Sequence, residues 1–202
     1  MLRPAAGGIF TVSTGRAEQE ALQLALYDAR DAAEVNQRWR AALSEVSRAR
    51  VAILGVPSDC GAGLVRGASL GPQAVRAALL EIEPRFAELA RAARIVDVGD
   101  VFTVPHLLHD EMLSAAQIAS CRSALYGVSP GAGADLPVSP LSMTERVVSR
   151  LLELNPELRL FVIGGDHSVS WPVVSALAAA TARHGRSFTL TRTPICCRSD
   201  WA

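Results

Sequence analysis

Three short apolar runs restrict this chain more than any other feature. They are Val51-Ala-Ile-Leu-Gly-Val56, Arg94-Ile-Val-Asp-Val98 and Leu158-Arg-Leu-Phe-Val-Ile163. Each is too short for a buried helix and is apolar along most of its length, as expected of a strand covered on both faces. Helix signals lie between them. Gly71-Pro72 opens a helix to about Leu80, with Pro just inside its start. Ser114-Ala-Ala-Gln117 is a capping box for a helix to about Tyr126, and Ser142-Met-Thr-Glu145 is another for a helix to about Leu154. Residues 127–141 form a Gly/Pro loop, and Pro172 to Arg183 form a last helix. Strands alternating with helices predict an α/β fold, three α/β/α layers around a mainly parallel sheet.

Upstream of the first strand, residues 16–48 read as one helix. Leu22, Leu26, Ala29, Ala33, Leu43 and Val46 recur at helical spacing, which suits a packing or oligomer-contact role. Residues 1–15 are small and Gly-rich, and poor order is expected there. The chain thus divides into an N-terminal extension with a helix (1–50), an α/β domain (51–187) and a tail (188–202).

Charge narrows the function classes. The 202 residues carry 20 basic and 20 acidic side chains, so the formal net charge is zero. A nucleic-acid binder or membrane-surface protein would show a basic excess. No apolar run approaches the roughly 20 residues a membrane helix needs. Met1 to Gly15 lacks the charged and continuous apolar regions of a signal peptide. Cys60, Cys121, Cys196 and Cys197 form no CxxC pair, and a reducing cytoplasm is the expected compartment.

Polar residues collect just after the strand ends, where parallel sheets build their sites. The first such loop reads Gly55-Val-Pro-Ser-Asp59-Cys-Gly-Ala-Gly63-Leu-Val-Arg66-Gly67, followed by Gly71-Pro72-Gln-Ala-Val-Arg76. A dinucleotide loop would use Gly61 and Gly63. It would need a glycine where Arg66 stands and glycines tight against the strand, where Pro57 to Cys60 intervene. The plainer reading is a tight loop whose glycines permit positive φ, with Arg66 and Arg76 as structural or surface residues. The second loop reads Gly164-Gly165-Asp166-His167-Ser168. An imidazole at a strand end can ligate Zn, Mn, Fe or Ni, but one His cannot hold a metal alone. His106, His109 and Asp110 sit in another loop, where a solvated role is the default.

Together the two motif loops resemble the ureohydrolase family, which includes arginase, agmatinase and formimidoylglutamase. The first loop is similar to the family's N-terminal signature and is closer to agmatinase-like members. Ile95-Val-Asp-Val-Gly-Asp100 is similar to its second strand, and GGDHS to its first metal motif. The resemblance covers about residues 51–183. It implies two Mn ions sharing a bridging hydroxide that attacks a guanidinium carbon, with release of urea and an amine. His167 matches the family's His ligand. Asp166 matches its neighbour, which orients the site rather than ligating. A small guanidino substrate and a homo-oligomer are further implications.

The chain departs from the family after residue 183. The family's DAHxD and DxD motifs supply its other ligands, and neither occurs here. Beyond His167 the sequence holds only His184 and Asp200 as further His or acidic residues. A binuclear Mn site needs several carboxylates. Read one base out of frame, the codons from Leu190 to Cys197 permit Asp-Ala-His-Thr-Asp-Leu-Leu. The codons required are GC-rich, in keeping with a chain in which all 20 basic residues are Arg. A one-base slip near Arg186 to Leu190 is therefore expected. It would make Cys196 and Cys197 accidental and the 202-residue chain truncated, inactive and prone to aggregate. The alternatives are a genuine divergent C-terminus on a non-catalytic pseudoenzyme or interaction fragment, and, more distantly, a nucleotide-binding α/β domain.

Overall fold

A computed structural model describes residues 1–9, 15–64, 66–128, 133 and 135–183. Eleven elements follow in order: β1 (Leu2–Arg3), α1 (Arg16–Tyr27), α2 (Ala32–Ser44), β2 (Val51–Val56), α3 (Gly71–Ile82), α4 (Phe86–Ala92), β3 (Ile95–Val101), α5 (Ala115–Tyr126), α6 (Pro140–Leu154), β4 (Arg159–Gly164) and α7 (Ser170–Arg183). Short 3-10 turns join several of them. The strands lie in the order β1-β3-β2-β4. β2 pairs in parallel with β3 and β4, and β1 runs antiparallel to β3. The α/β fold with a mainly parallel sheet is therefore present.

Alternation along β2 sets the layers. Ala52, Leu54 and Val56 join the main core with α6 and α7. Ile53, on the opposite face, lies toward α2 and α4. Helix α6 buries Leu141, Thr144, Val148, Leu151 and Leu152, a stripe at helical spacing. It ends at Asn155, whose amide donates to the carbonyls of Val46 and Ala49 at 3.0 and 2.8 Å. That buried side chain ties α6 to the turn that launches β2. Asn155→Ala leaves both carbonyls without this donor and is expected to cost about 2 kcal/mol, read as a lowered denaturation midpoint. A midpoint unchanged within error would show that the tie carries no weight.

Several expectations need correction. Residues 16–48 are two helices. Asp28 closes α1 in the left-handed region (φ 48), and the Asp31 carboxylate caps α2 by accepting from the Glu34 N–H at 2.8 Å. Apolar spacing continues across the break because both helices pack on the same body, so periodicity alone conceals it. Residues 1–9 are not loose. β1 pairs with the end of β3, and Ala5 is buried. The Ala5 N–H donates to the Tyr27 hydroxyl, and Gln23 donates to the Ala5 carbonyl, each at 2.9 Å.

The capping box at Ser114 and Gln117 forms as read. The one at Ser142 does not. Helix α6 starts three residues earlier, with Ser139 at its N-cap and Pro140 in its first turn, and the Ser142 hydroxyl accepts from the Asp110 N–H at 3.1 Å. The apolar run at β4 is not buried on both faces either. Its outer edge pairs with no strand among the described residues, and Phe161 is 57% exposed. Helix α4 lies where no helix was expected. No helix among the described residues is long and apolar enough to cross a membrane.

Candidate functional site

Two loops meet at the C-terminal ends of β2 and β4. Parallel pairing places Val56 beside Gly164, so the chain leaves both strands at the same level. The Gly165 N–H donates to the Val56 carbonyl at 3.1 Å, and the Asp166 N–H donates to the Ser58 carbonyl at 3.0 Å. This seam requires glycine. A β-carbon on Gly165 would lie 2.0 Å from the Ser58 carbonyl oxygen.

Asp166 joins the loops through its side chain. One carboxylate oxygen accepts from the Gly61 N–H at 2.7 Å. The other accepts from the Ser168 N–H at 2.8 Å and from the Ser168 hydroxyl. Both oxygens are thus engaged, and Asp166 caps the turn that carries His167. His167 itself is exposed. It borders an open cavity of about 450 Å³ whose other walls include Val162, Val169 and Val173.

Asp59 organises the first loop. Its carboxylate accepts from the Gly67 N–H at 2.9 Å, and Arg66 donates to the Asp59 carbonyl at 2.7 Å. The Gly67 N–H, with help from Arg66, holds the Asp59 carboxyl below the usual aspartate value despite its burial. The sign follows from proton linkage. The unfolded chain binds this proton more readily than the folded one, so the Asp59 contribution is complete above the ordinary aspartate pKa. It is lost as pH falls through the depressed one. Asp59→Asn is expected to flatten the acid side of the melting-temperature profile. An acid limb as steep as wild type would contradict this.

The structure brings together Asp59, Gly61, Arg66, Asp166, His167 and Ser168. Asp59 and Ser168 lie inside the quoted motifs, but nothing in their spacing marks them as the residues that close the loops. Arg76 is not at the surface: it is almost fully buried and bonded to Asp97 and Asp100. The Asp110 carboxylate accepts from the Val138 and Ser139 N–H groups, so it anchors the start of α6. His109 accepts from the Glu111 N–H at 3.3 Å in its own turn. Cys60 and Cys121 are unpaired thiols. His184, Cys196, Cys197, Asp200 and the shifted-frame segment lie outside the described residues.

For a two-metal centre the donor set falls short. Among the described residues, no three His, Cys, Asp or Glu side chains gather to hold an ion. His167 can offer one nitrogen, while the Asp166 oxygens are committed to N–H and O–H donors. The pair fits one ligand and the neighbour that fixes its turn, not a complete binuclear site.

Comparison with known proteins agrees in one respect. A family model described as the Arginase family matches residues 49–190, well over half of the chain. No curated protein matches it.

Proposed function

Because the chain belongs to the Arginase family, we propose that its site follows the plan of a manganese ureohydrolase, built for hydrolysis of a guanidino C–N bond. The observation that carries this reading is the Asp166 bridge, which fixes the His167 turn against the glycine loop. In this reading His167 is a metal ligand and Asp166 its positioning neighbour. Manganese suits an imidazole joined by oxygen donors. The signature at Gly55 to Arg76 favours an agmatinase-like member, the thiols favour the cytoplasm, and a homo-oligomer without nucleic acid or membrane contact is expected.

Among the described residues, the carboxylates that two ions need do not gather beside His167, so we infer that the 202-residue chain does not turn over substrate. In that respect it behaves as the non-catalytic form of the fold. Codons for Leu190 to Cys197 permit the missing motif one base out of frame, and we attribute its absence to a one-base slip. Urea release from agmatine and from arginine with added Mn²⁺ tests both statements. None is expected from the 202-residue chain, and Mn²⁺-dependent release is expected once the frame is restored. Urea formed by the 202-residue chain would refute the incomplete site. A restored chain that binds no Mn²⁺ would refute the family plan.

A further inference from the structure

A second cavity lies at the other end of the strands, far from Asp166 and His167. It measures about 610 Å³ and opens between α2 and α4 over the face of Ile53 and Ile95. That volume is ordinary for a small-molecule site. It exists because both helices turn alanines inward: Ala41 and Ala42 from one, Ala87 and Ala90 from the other. Each helix packs on β3, and the space between them is left open.

The cavity is polarised along α4. Phe86 marks one end of that helix, while Arg91 and then Arg94 mark the other, about 10 Å away. Arg48 joins them, because the chain just after it pairs with Arg94: the Arg50 N–H donates to the Arg94 carbonyl at 2.8 Å. Among the described residues, none of Arg48, Arg91 and Arg94 forms an ion pair. Two lining carboxylates are already taken, Asp28 by Arg38 at 3.1 Å and Asp97 by Arg76 at 2.8 Å. Over the whole lining, the four arginines Arg38, Arg48, Arg91 and Arg94 face three carboxylates, Asp28, Glu45 and Asp97, so the cavity carries an excess of positive charge.

Arg94 adds an independent sign. Its φ is 58, in the left-handed region where glycine normally follows a helix end. A long cationic side chain stands at the cavity mouth where the backbone favours none.

We propose that this cavity binds an amphiphile with an aliphatic body and a single anionic head, the body between the alanine walls and the head at Arg48, Arg91 and Arg94. The class is that of a medium-chain carboxylate. The proposal does not depend on the ureohydrolase reading.

Decanoate is the probe, with decan-1-ol and decyltrimethylammonium as uncharged and oppositely charged counterparts. The full 202-residue chain is tethered sparsely to a sensor surface, which keeps copies apart. Decanoate should bind saturably at one site, decan-1-ol about tenfold or more weaker, and the ammonium not at all. Arg94→Gly suits the backbone and should keep the fold by circular dichroism. It should weaken decanoate about tenfold and leave decan-1-ol unchanged. Ala42→Trp fills the cavity and should abolish both. No saturable decanoate binding, equal binding of the three probes, or decanoate affinity untouched by Arg94→Gly would each overturn the proposal.

Discussion

Replacing Arg76 by leucine is expected to remove about 3–5 kcal/mol of stability, enough to unfold a domain whose total is of order 5–15 kcal/mol. Arg76 rises from α3 into the sheet with only 1% of its surface exposed. Its guanidinium meets Asp97 through two parallel bonds of 2.8 Å and Asp100 through a third of 2.5 Å. Asp100 also accepts from the Gly8 N–H, so the cluster reaches the N-terminal segment. Gly55 makes the room: a β-carbon there would lie 1.9 Å from the Asp100 carboxylate. Leucine fills much of the arginine volume and leaves two carboxylates without their cation, Asp100 fully buried and Asp97 half-buried. The cost comes from those orphaned charges rather than from a lost attraction. Adding Asp97→Asn and Asp100→Asn to Arg76→Leu should therefore recover part of the loss, a coupling that a chemical-denaturation cycle measures. If the triple variant is no more stable than Arg76→Leu, the charge argument fails and the loss is one of packing. Arg76→Lys should also be poorly tolerated, because an ammonium cannot make the paired bonds to Asp97.

Gly165→Ala is expected to cost about 3 kcal/mol and to part the two loops of the candidate site. The added methyl group would press on main-chain atoms of Ser58, not on a side chain that can swing aside. Relief requires β4 and the loop after β2 to separate, which breaks the Gly165 bond to Val56 and the Asp166 bond to Ser58. Overpacking and lost hydrogen bonds then add. Hydrogen exchange reports the local part: the amides of Gly61, Gly165 and Asp166 should exchange much faster in the variant. Wild-type exchange at these amides, with a melting point shifted by less than a degree or two, would show that the seam adjusts without cost.

The sequence made the parallel strands legible, because β2, β3 and β4 announce themselves as apolar runs and the loops after them carry the glycines and acids. The capping box at Ser114 was equally readable, since it depends only on local chemistry. Ser142 was misleading for the opposite reason. The same side-chain pattern can serve the chain's own backbone or a distant amide, and here Asp110 takes the hydroxyl. β1 was invisible: two residues pair with β3 only because Tyr27 and Gln23 hold Ala5 from another element. In the site, the GGDHS run pointed to His167 and Asp166. The role of Asp166 as a bridge to Gly61 was not readable, because it joins residues 105 positions apart. Arg76 reads equally as structural or surface in the sequence, since only the fold reveals that its partners lie on β3.

That long span bears on how the polypeptide acquires its shape during synthesis. β2 is central, and one of its two parallel neighbours is translated early while the other comes late. A nascent chain that has made β3 can already form three of the four described strands and enclose Arg76 with its acids. The glycine loop must wait, without its carboxylate, until Asp166 emerges from the ribosome. Contacts this distant in sequence form slowly, since loop closure precedes any reward. Stalling translation between β3 and β4 should therefore yield an intermediate with a settled Arg76 cluster and unjoined loops at the Asp166 seam.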